Sequence, residues 1–241
     1  MARFYFPQAL ELDAVLELPA DLAHHVHVLR MQCGDNLTLF HGDGGEYTAQ
    51  ICALDKKTAS VVVKTFSPRE VELPYALSLA QALPEGSKMD WIIEKAVELG
   101  VALVQPLAAA RSVVKLDAER AEKRQRHWQG IIIAASEQCG RNRLARLAPL
   151  ARFEEWTARQ DLHRRILLSP RATTSISDWA RHHPPQALTL MVGPEGGFSE
   201  AEENQAIAHG ALSFSLGPRV LRTETAGIYA LSALQALWGN Q

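Results

Sequence analysis

Hydrophobic positions along the chain change their period once, shortly after Phe66. Before that point the apolar residues come in short alternating or β-branched runs: Phe4 to Phe6, Val15 to Leu18, Asn36 to Phe40, Glu46 to Leu54 and Thr58 to Phe66. A period of two over such short runs predicts strands with one face buried, and five of them predict a small β-barrel. Gly42-Asp43-Gly44-Gly45 supplies residues that tolerate positive φ, as a hairpin turn requires. Leu22 to Arg30 carries the one helical pattern in this region. Ser67-Pro68-Arg69-Glu70, with Pro74 close behind, interrupts the strands and predicts a boundary between a domain of residues 1–72 and one of residues 73–241.

From Tyr75 onward strands alternate with helices. Ala76 to Leu83 and Val101 to Leu107 are strand-length apolar runs separated by a helical pattern over Asp90 to Leu99, and a long helix is predicted from Asp117 to about Gln138. Arg165 to Ser169, Leu188 to Val192 and Ala211 to Leu216 repeat the theme, each followed by a loop and a helix-like segment. Near-continuous apolar strands with intervening helices predict an α/β domain built on a mostly parallel sheet, which binds ligands beyond the carboxyl ends of its strands. The final helix, Glu224 to about Trp238, distributes Ile228, Tyr229, Leu231, Leu234, Leu237 and Trp238 over more than one face. That is more apolar surface than one sheet contact needs, and it suggests a homodimer.

Composition narrows the class without naming a function. With 47% hydrophobic and 22% charged residues in 241, the chain has the balance of a soluble globular protein. The N-terminus lacks the apolar core of a signal peptide and no run approaches membrane-spanning length, so a cytoplasmic location is expected. Cys33, Cys52 and Cys139 are widely spaced and form no C-x-x-C pair, so reduced thiols are expected and a cysteine zinc site is not. The formal net charge of -2 conceals an asymmetry: Met1 to Glu72 holds six Lys/Arg against ten Asp/Glu, while Arg111 to Arg171 holds fourteen against seven. A basic stretch of this kind fits either a polyanion-binding face or a solvated helix surface. His24, His25 and His27 have no acidic or cysteine partner at ligand spacing, so no metal is expected there.

Two loops are candidates to carry the chemistry. Val192-Gly193-Pro194-Glu195-Gly196-Gly197-Phe198-Ser199 leaves a buried strand and enters a helix announced by Ser199 and Glu202, an S-x-x-E capping box. Its glycines allow backbone N–H and C=O groups to approach an adenine edge or a ribose, although a glycine-rich turn without a ligand fits the same residues. It is neither G-x-G-x-x-G nor a Walker loop, because no Gly-Lys-Ser/Thr follows. The second loop, Leu216-Gly217-Pro218-Arg219-Val220-Leu221-Arg222-Thr223-Glu224-Thr225-Ala226, gathers two arginines, a carboxylate and two hydroxyls at one strand end, with Thr223 or Glu224 expected to cap the last helix.

Gly193-Pro194-Glu195-Gly196-Gly197-Phe198-Ser199, followed by Leu216-Gly217-x-Arg219-x-Leu221-Arg222-x-Glu224-Thr225-Ala226, resembles the paired signature of the RsmE family, uridine-N3 methyltransferases of 16S ribosomal RNA. The resemblance extends through Lys88, Glu94-Lys95-Ala96-x-Glu98-Leu99-Gly100, Pro106, Arg111-Ser112, Trp128 and Glu137-Gln138-Cys139-Gly140-Arg141, and reaches Arg3 and His24-x-x-x-Val28-Leu29-Arg30. It implies a PUA-like β-barrel joined to a SPOUT-type α/β domain whose C-terminal loops form a trefoil knot around S-adenosylmethionine. The cofactor pocket it implies consists of Leu168, Gly193, Pro194, Glu195, Gly196, Gly197, Leu216, Gly217, Val220, Leu221 and Ala226. SPOUT-like enzymes generally work as homodimers, which points the same way as the final helix.

Methylation at uridine N3 needs an imide proton removed and the nitrogen held in line with a sulfonium methyl, with no covalent nucleophile. Arg222 is the candidate to stabilise the deprotonated uracil through O2 or O4, and Glu224 or a water the candidate proton acceptor. Cys139 is expected to be structural. N3 lies on the Watson–Crick edge, so the target must be unpaired, as in a folded ribosomal junction of the small subunit. Candidate RNA contacts in the basic stretch are Lys115, Lys123, Arg124, Arg126, Arg141 and Arg143; the barrel offers Arg3, His24 and Arg30, and the family resemblance adds Lys88 and Arg111. Methyl transfer to a ribose 2′-hydroxyl and a catalytically silent rRNA-binding assembly factor are the alternatives, separable by the methylated atom and by cofactor affinity.

Overall fold

The computed structural model describes residues 1–114, 117–159 and 163–239. They form two compact units. The first comprises Met1–Glu72 with Ser136–Leu144, and the second comprises Leu73–Ala135 with the chain from Ala145 onward.

In the first unit, β1 (Arg3–Tyr5), β2 (Val15–Glu17), β3 (Asn36–Phe40), β4 (Glu46–Leu54) and β5 (Ala59–Ser67) make a five-stranded sheet in the order β1-β3-β4-β5-β2. β1 runs parallel to β3, and the other pairings are antiparallel. The alternation read from sequence sets the faces: Leu37, Leu39, Ala49, Ile51, Ala59, Val61 and Val63 point into one core. The helix α1 (Ala20–Val28) closes that core with Leu22, Ala23 and Val26. Register shifts in the β4–β5 ladder at Thr48/Ala49 and Ile51/Ala53 bend the sheet locally. Gly42, Gly44 and Gly45 all take positive φ in the β3–β4 turn.

The segment 136–144 differs from expectation, because periodicity assigned it to the second domain and it packs into the first unit. The Tyr5 amide donates to Glu137 at 2.8 Å, and burial raises the Glu137 carboxyl above its ordinary range, a shift that the Tyr5 hydrogen bond opposes. Arg141 donates from Nε and Nη2 to both oxygens of Glu72, at 2.9 and 2.5 Å. Arg3 donates to the Arg141 carbonyl at 2.9 Å and to the Asn142 side chain, while its guanidinium lies 4.5 Å from the Phe40 ring centre. A helix pattern records which face is apolar and says nothing of where along its length the neighbour changes.

In the second unit, β6 (Leu77–Ala82), β7 (Leu103–Ala108), β8 (Arg146–Leu147), β9 (Ala151–Arg152), β10 (Arg164–Leu168), β11 (Leu188–Val192) and β12 (Leu212–Phe214) form a sheet ordered β12-β10-β11-β6-β7-β8, with β9 also paired to β7. Every pairing is parallel. β6 and β11, at its centre, are buried at every position, as a strand covered on both faces must be. Around it lie α2 (Lys88–Glu98), α3 (Ala118–Cys139), α4 (Phe153–Thr157), α5 (Ile176–Arg181), α6 (Glu200–Ala208) and α7 (Thr223–Trp238). α5 is the helix-like segment expected after β10, whereas the two-residue strands and the short helix α4 were not anticipated, since five residues are too few to show a helical period.

α7 buries Ala230, Leu231, Leu234 and Trp238 within its own unit, where the Trp238 indole donates to the carbonyls of Ala180 (3.1 Å) and His183 (3.0 Å). Tyr229 and Leu237 stay exposed. Arg165 is buried in β10: its guanidinium stacks over Trp156 at 4.2 Å and donates to the Thr157 and Arg159 carbonyls (2.7 and 2.8 Å), finishing α4. The expected capping box on α6 is present. The Glu202 carboxylate accepts from the Ser199 amide (2.8 Å) and hydroxyl (2.9 Å), and from the Ala110 amide (2.8 Å) in the loop after β7. Glu202→Ala should therefore lower stability by about 2 kcal/mol, through loss of the carboxylate half of the capping box and of the acceptor for the Ala110 amide. Urea denaturation of the two proteins measures the difference.

Candidate functional site

β12, β10 and β11 are neighbours and parallel, so their carboxyl ends lie side by side: Leu168 pairs with Phe214, and Leu167 with Met191. The loops leaving these ends, with the start of α7, enclose a cleft of about 200 Å³ that opens to solvent. Leu168, Gly193, Pro194, Glu195, Gly196, Gly197, Leu216, Gly217, Val220, Leu221 and Ala226 all line it. Ser169, Pro170, Arg171, Phe198 and Glu203 line it too and were not foreseen from the sequence. The three residues after Leu168 follow from the rule that pointed to Leu168, since ligands sit beyond strand carboxyl ends.

The loop after β11 takes its shape from Gly193. A Cβ there would meet the Phe198 amide nitrogen at 2.7 Å and Gly197 backbone at 2.9 Å, so only glycine allows the chain to double back so tightly. The turn is closed by the Gly197 amide donating to the Pro194 carbonyl at 2.8 Å. Three side chains then hold the loop from outside. Arg111 donates to the Gly196 carbonyl at 2.8 Å. Thr223 donates its hydroxyl to the Gly193 carbonyl at 2.6 Å. Lys88 donates to Glu195 at 2.5 Å, and Glu195 also accepts the Glu85 amide at 3.1 Å. Burial disfavours the Glu195 charge, yet the Lys88 hydrogen bond and the amides outweigh it and hold the carboxyl below its ordinary range.

On the opposite wall Arg171 pairs with Glu203 at 2.7 Å, and the Ser169 hydroxyl donates to the same carboxylate at 3.1 Å. Apolar walls from Leu168, Val192, Phe198 and Leu216, interrupted by bare backbone and a few fixed charges, suit a nucleoside-sized ligand. Among the described residues no three His, Cys, Asp or Glu side chains come together to hold a metal ion.

Arg222 and Glu224 flank the cleft-lining Thr223 and do not line the cleft themselves. The Arg222 side chain is 84% exposed and its Nη1 lies 4.0 Å from Glu224, whose Oε2 is buried without a hydrogen-bond partner. The expected cap on α7 is corrected: the N-cap position is held by Arg222, with no side-chain cap, and Thr223 is the first helical residue, donating its hydroxyl to Gly193. Of the candidate RNA contacts, Arg3 and Arg141 are held inside the first unit by the bonds described above, where they shape the 136–144 segment. His24, Arg30, Lys123 and Arg143 are exposed, as is Arg126, which pairs with Glu122 at 2.8 Å. Arg124 is partly buried, and Lys88 and Arg111 serve the glycine loop. Lys115 lies outside the described residues.

Comparison with known proteins defines the class. A family model described as an RNA methyltransferase domain matches residues 71–235, and one described as an RNA methyltransferase PUA domain matches residues 18–64. The ribosomal RNA small subunit methyltransferase E of Bacillus subtilis is 35% identical, over 94% of this chain and 92% of its own length. Among solved structures, the ribosomal RNA small subunit methyltransferase E of Neisseria gonorrhoeae, bound to S-adenosyl methionine, is 37% identical with a TM-score of 0.92, covering 100% of this chain and 99% of its own. A Legionella pneumophila protein in complex with the bound cofactor SAM is 41% identical with a TM-score of 0.92, covering 98% and 97%. This chain belongs to the ribosomal RNA small subunit methyltransferase E family, as the paired C-terminal signature implied.

The Lys88–Glu195 bridge makes a titration prediction. The Glu195 carboxyl is lowered, so its stabilising effect holds above the ordinary glutamate range and is lost as pH falls through the lowered value. Lys88 is raised by the Glu195 hydrogen bond, so it stays charged until pH rises through that raised value, and the bridge spans neutral pH intact. In Lys88→Met, the Glu195 carboxyl titration followed by NMR should move its midpoint upward; an unmoved midpoint would remove Lys88 as the cause.

Proposed function

We propose that this protein transfers the methyl group of S-adenosylmethionine to N3 of a uridine in 16S ribosomal RNA, acting on the assembled small subunit. The observation that carries the proposal is the cleft, in which every residue expected to hold the cofactor lines one wall or another. Family membership and the cofactor-bound relatives support the same reading. Bound S-adenosylmethionine supplies an electrophilic methyl on a positively charged sulfur. The leucines and valines of the walls cover an adenosine, while the amides and carbonyls of residues 193–197 read its edges.

The protein must then bring a deprotonated N3 in line with that methyl. The N3–H bond breaks, the nitrogen lone pair forms the N–CH3 bond, and the methyl–sulfur bond electrons stay on sulfur, which becomes a neutral thioether. Arg222, exposed at the cleft mouth, offsets the negative charge that develops on uracil O2 or O4. Glu224, whose partly exposed side chain lies beside Arg222, or a water takes the proton. Lysines and arginines exposed on each unit, with His24, contact the RNA backbone.

The same proposal assigns residues 1–72 to a PUA-like barrel that binds RNA and residues 73–241 to the methyltransferase domain, with its C-terminal loops threaded as a SPOUT trefoil knot, in a cytoplasmic protein. It pairs two chains through α7, whose Tyr229 and Leu237 are exposed, and a dimer in sedimentation at micromolar concentration is the expected result.

Labelled S-adenosylmethionine incubated with the protein and either free 16S RNA or small subunits should yield 3-methyluridine, with subunits the better substrate. Methyl on a ribose oxygen, or no transfer alongside normal cofactor binding, would overturn the assignment. Arg222→Ala should lower turnover by about a hundredfold with cofactor affinity unchanged.

A further inference from the structure

Gln81 is wholly buried near the carboxyl end of β6, a polar side chain in a strand that is otherwise apolar apart from Ser78. It stands beside Val192, the last residue of β11, where the glycine loop begins. Its amide nitrogen donates to the Ala82 carbonyl at 2.9 Å and to the Thr223 hydroxyl at 3.0 Å. Thr223 in turn donates to the Gly193 carbonyl at 2.6 Å. Each direction is fixed: a carbonyl can only accept, so the Thr223 hydrogen points at Gly193, and its oxygen is left to accept from Gln81. Turning the Gln81 amide over would set two oxygens against each other at Ala82, so the orientation is also fixed. The Gln81 oxygen is left buried without a partner, a cost that an apolar residue would avoid.

A costly buried amide in a central strand calls for a purpose beyond packing, and its partners supply one. Thr223 is the first residue of α7 and lies between Arg222 and Glu224. Gly193 begins the loop lining the cleft. We infer that Gln81 and Thr223 are positioning residues: the relay Gln81–Thr223–Gly193 fixes the first turn of α7 against the glycine loop and so sets the distance between the methyl donor and Arg222 with Glu224. This rests on the methyl-transfer reading above. Neither residue needs to touch the reacting atoms; the relay acts through the backbone it holds. Near-attack geometry tolerates errors well below an ångström, so loss of one hydrogen bond in such a frame costs rate more than affinity.

The test is a double-mutant cycle on the full chain, using Gln81→Leu, Thr223→Val and the pair, with Thr223→Ser as the conservative rescue. Calorimetry gives the S-adenosylmethionine Kd, methyl incorporation into small subunits gives kcat at saturating donor, and thermal melting confirms that each variant folds. Thr223→Val should lower kcat on the order of thirtyfold while weakening the donor Kd by no more than about fivefold, and Thr223→Ser should recover to within about threefold of wild type. Gln81→Leu should lower kcat by about tenfold, and the double variant should be no slower than Thr223→Val, because a relay broken at one link gains nothing from a second break. Additive losses, or a folded Thr223→Val with wild-type kcat, would overturn the relay. Thr223→Ser behaving like Thr223→Val would do the same, since only the hydroxyl is shared. A wild-type chain that binds no donor overturns the methyl-transfer reading instead, and is recognised before any variant is compared.

Discussion

The cleft depends on one steric fact: between Gly193 and Phe198 the backbone approaches itself more closely than any side chain at residue 193 would permit. From that return much else follows. Phe198 is carried down into the core, where its ring packs against Phe153 at 4.7 Å between centres. Ser199 is left at the start of α6 with its cap in place, and Glu202 is placed to accept the amide of Ala110. One tight turn thereby locks the loops after β7 and β11 to a common helix start. A looser turn would draw Glu202 away from the Ala110 amide, so the steric constraint and the hydrogen-bond requirement reinforce each other.

The fastenings of this loop are unequal, and their burial ranks them. Glu202 is almost wholly buried and Thr223 nearly so, and their bonds are shielded from water. The Lys88–Glu195 pair is short but about one-third exposed on both sides, and exposed pairs contribute little. Arg111 on the Gly196 carbonyl sits between these extremes in kind, a charged donor at the surface. The inner bonds therefore hold the loop in shape, while the outer ones bias the position of its tip. Such a division suits a site whose ligand must enter from the solvent side: the floor stays rigid and the rim can yield.

Sequence patterns made some of this legible and hid the rest for physical reasons. The parallel sheet was readable because Leu77 to Ala82 and Leu188 to Val192 are buried on both faces, and such strands leave uninterrupted apolar runs. Ser199 and Glu202 announced α6 because a capping box is a local code with fixed spacing. Thr223 was misread by the same logic: a threonine at a helix start resembles a cap, and nothing local reveals that the N-cap position falls one residue earlier, at Arg222, while Thr223 bonds a carbonyl thirty positions away. Arg171 and Glu203 come from separate elements to pair on one wall of the cleft, and such pairings become visible only in three dimensions. Gln81 carried a signal that was available, a glutamine in a strand too apolar to want one.

The charge asymmetry shows most clearly where counting residues fails. The basic excess from Arg111 to Arg171 suggested a face for RNA, but that excess is not all at the surface. Arg141 is committed to Glu72, and Arg165 finishes α4 from inside the sheet. Arg171 is neutralised by Glu203, and Arg126 and Arg152 stand beside acidic neighbours on their own helices or next to them. A guanidinium buried on a carboxylate contributes almost nothing to the field that a phosphate meets, and a surface pair contributes a dipole that salt weakens. Arg143, though exposed, stands beside Glu70 at 3.5 Å, and what a polyanion meets is therefore a sparser set, with Lys123 among its exposed members. Arginine's planar, multiply donating head explains the difference: the residue type that most often grips phosphate is also the one best able to tie carbonyls and carboxylates together inside a fold. Here several of the arginines that marked the sequence as RNA-directed are holding the structure in shape.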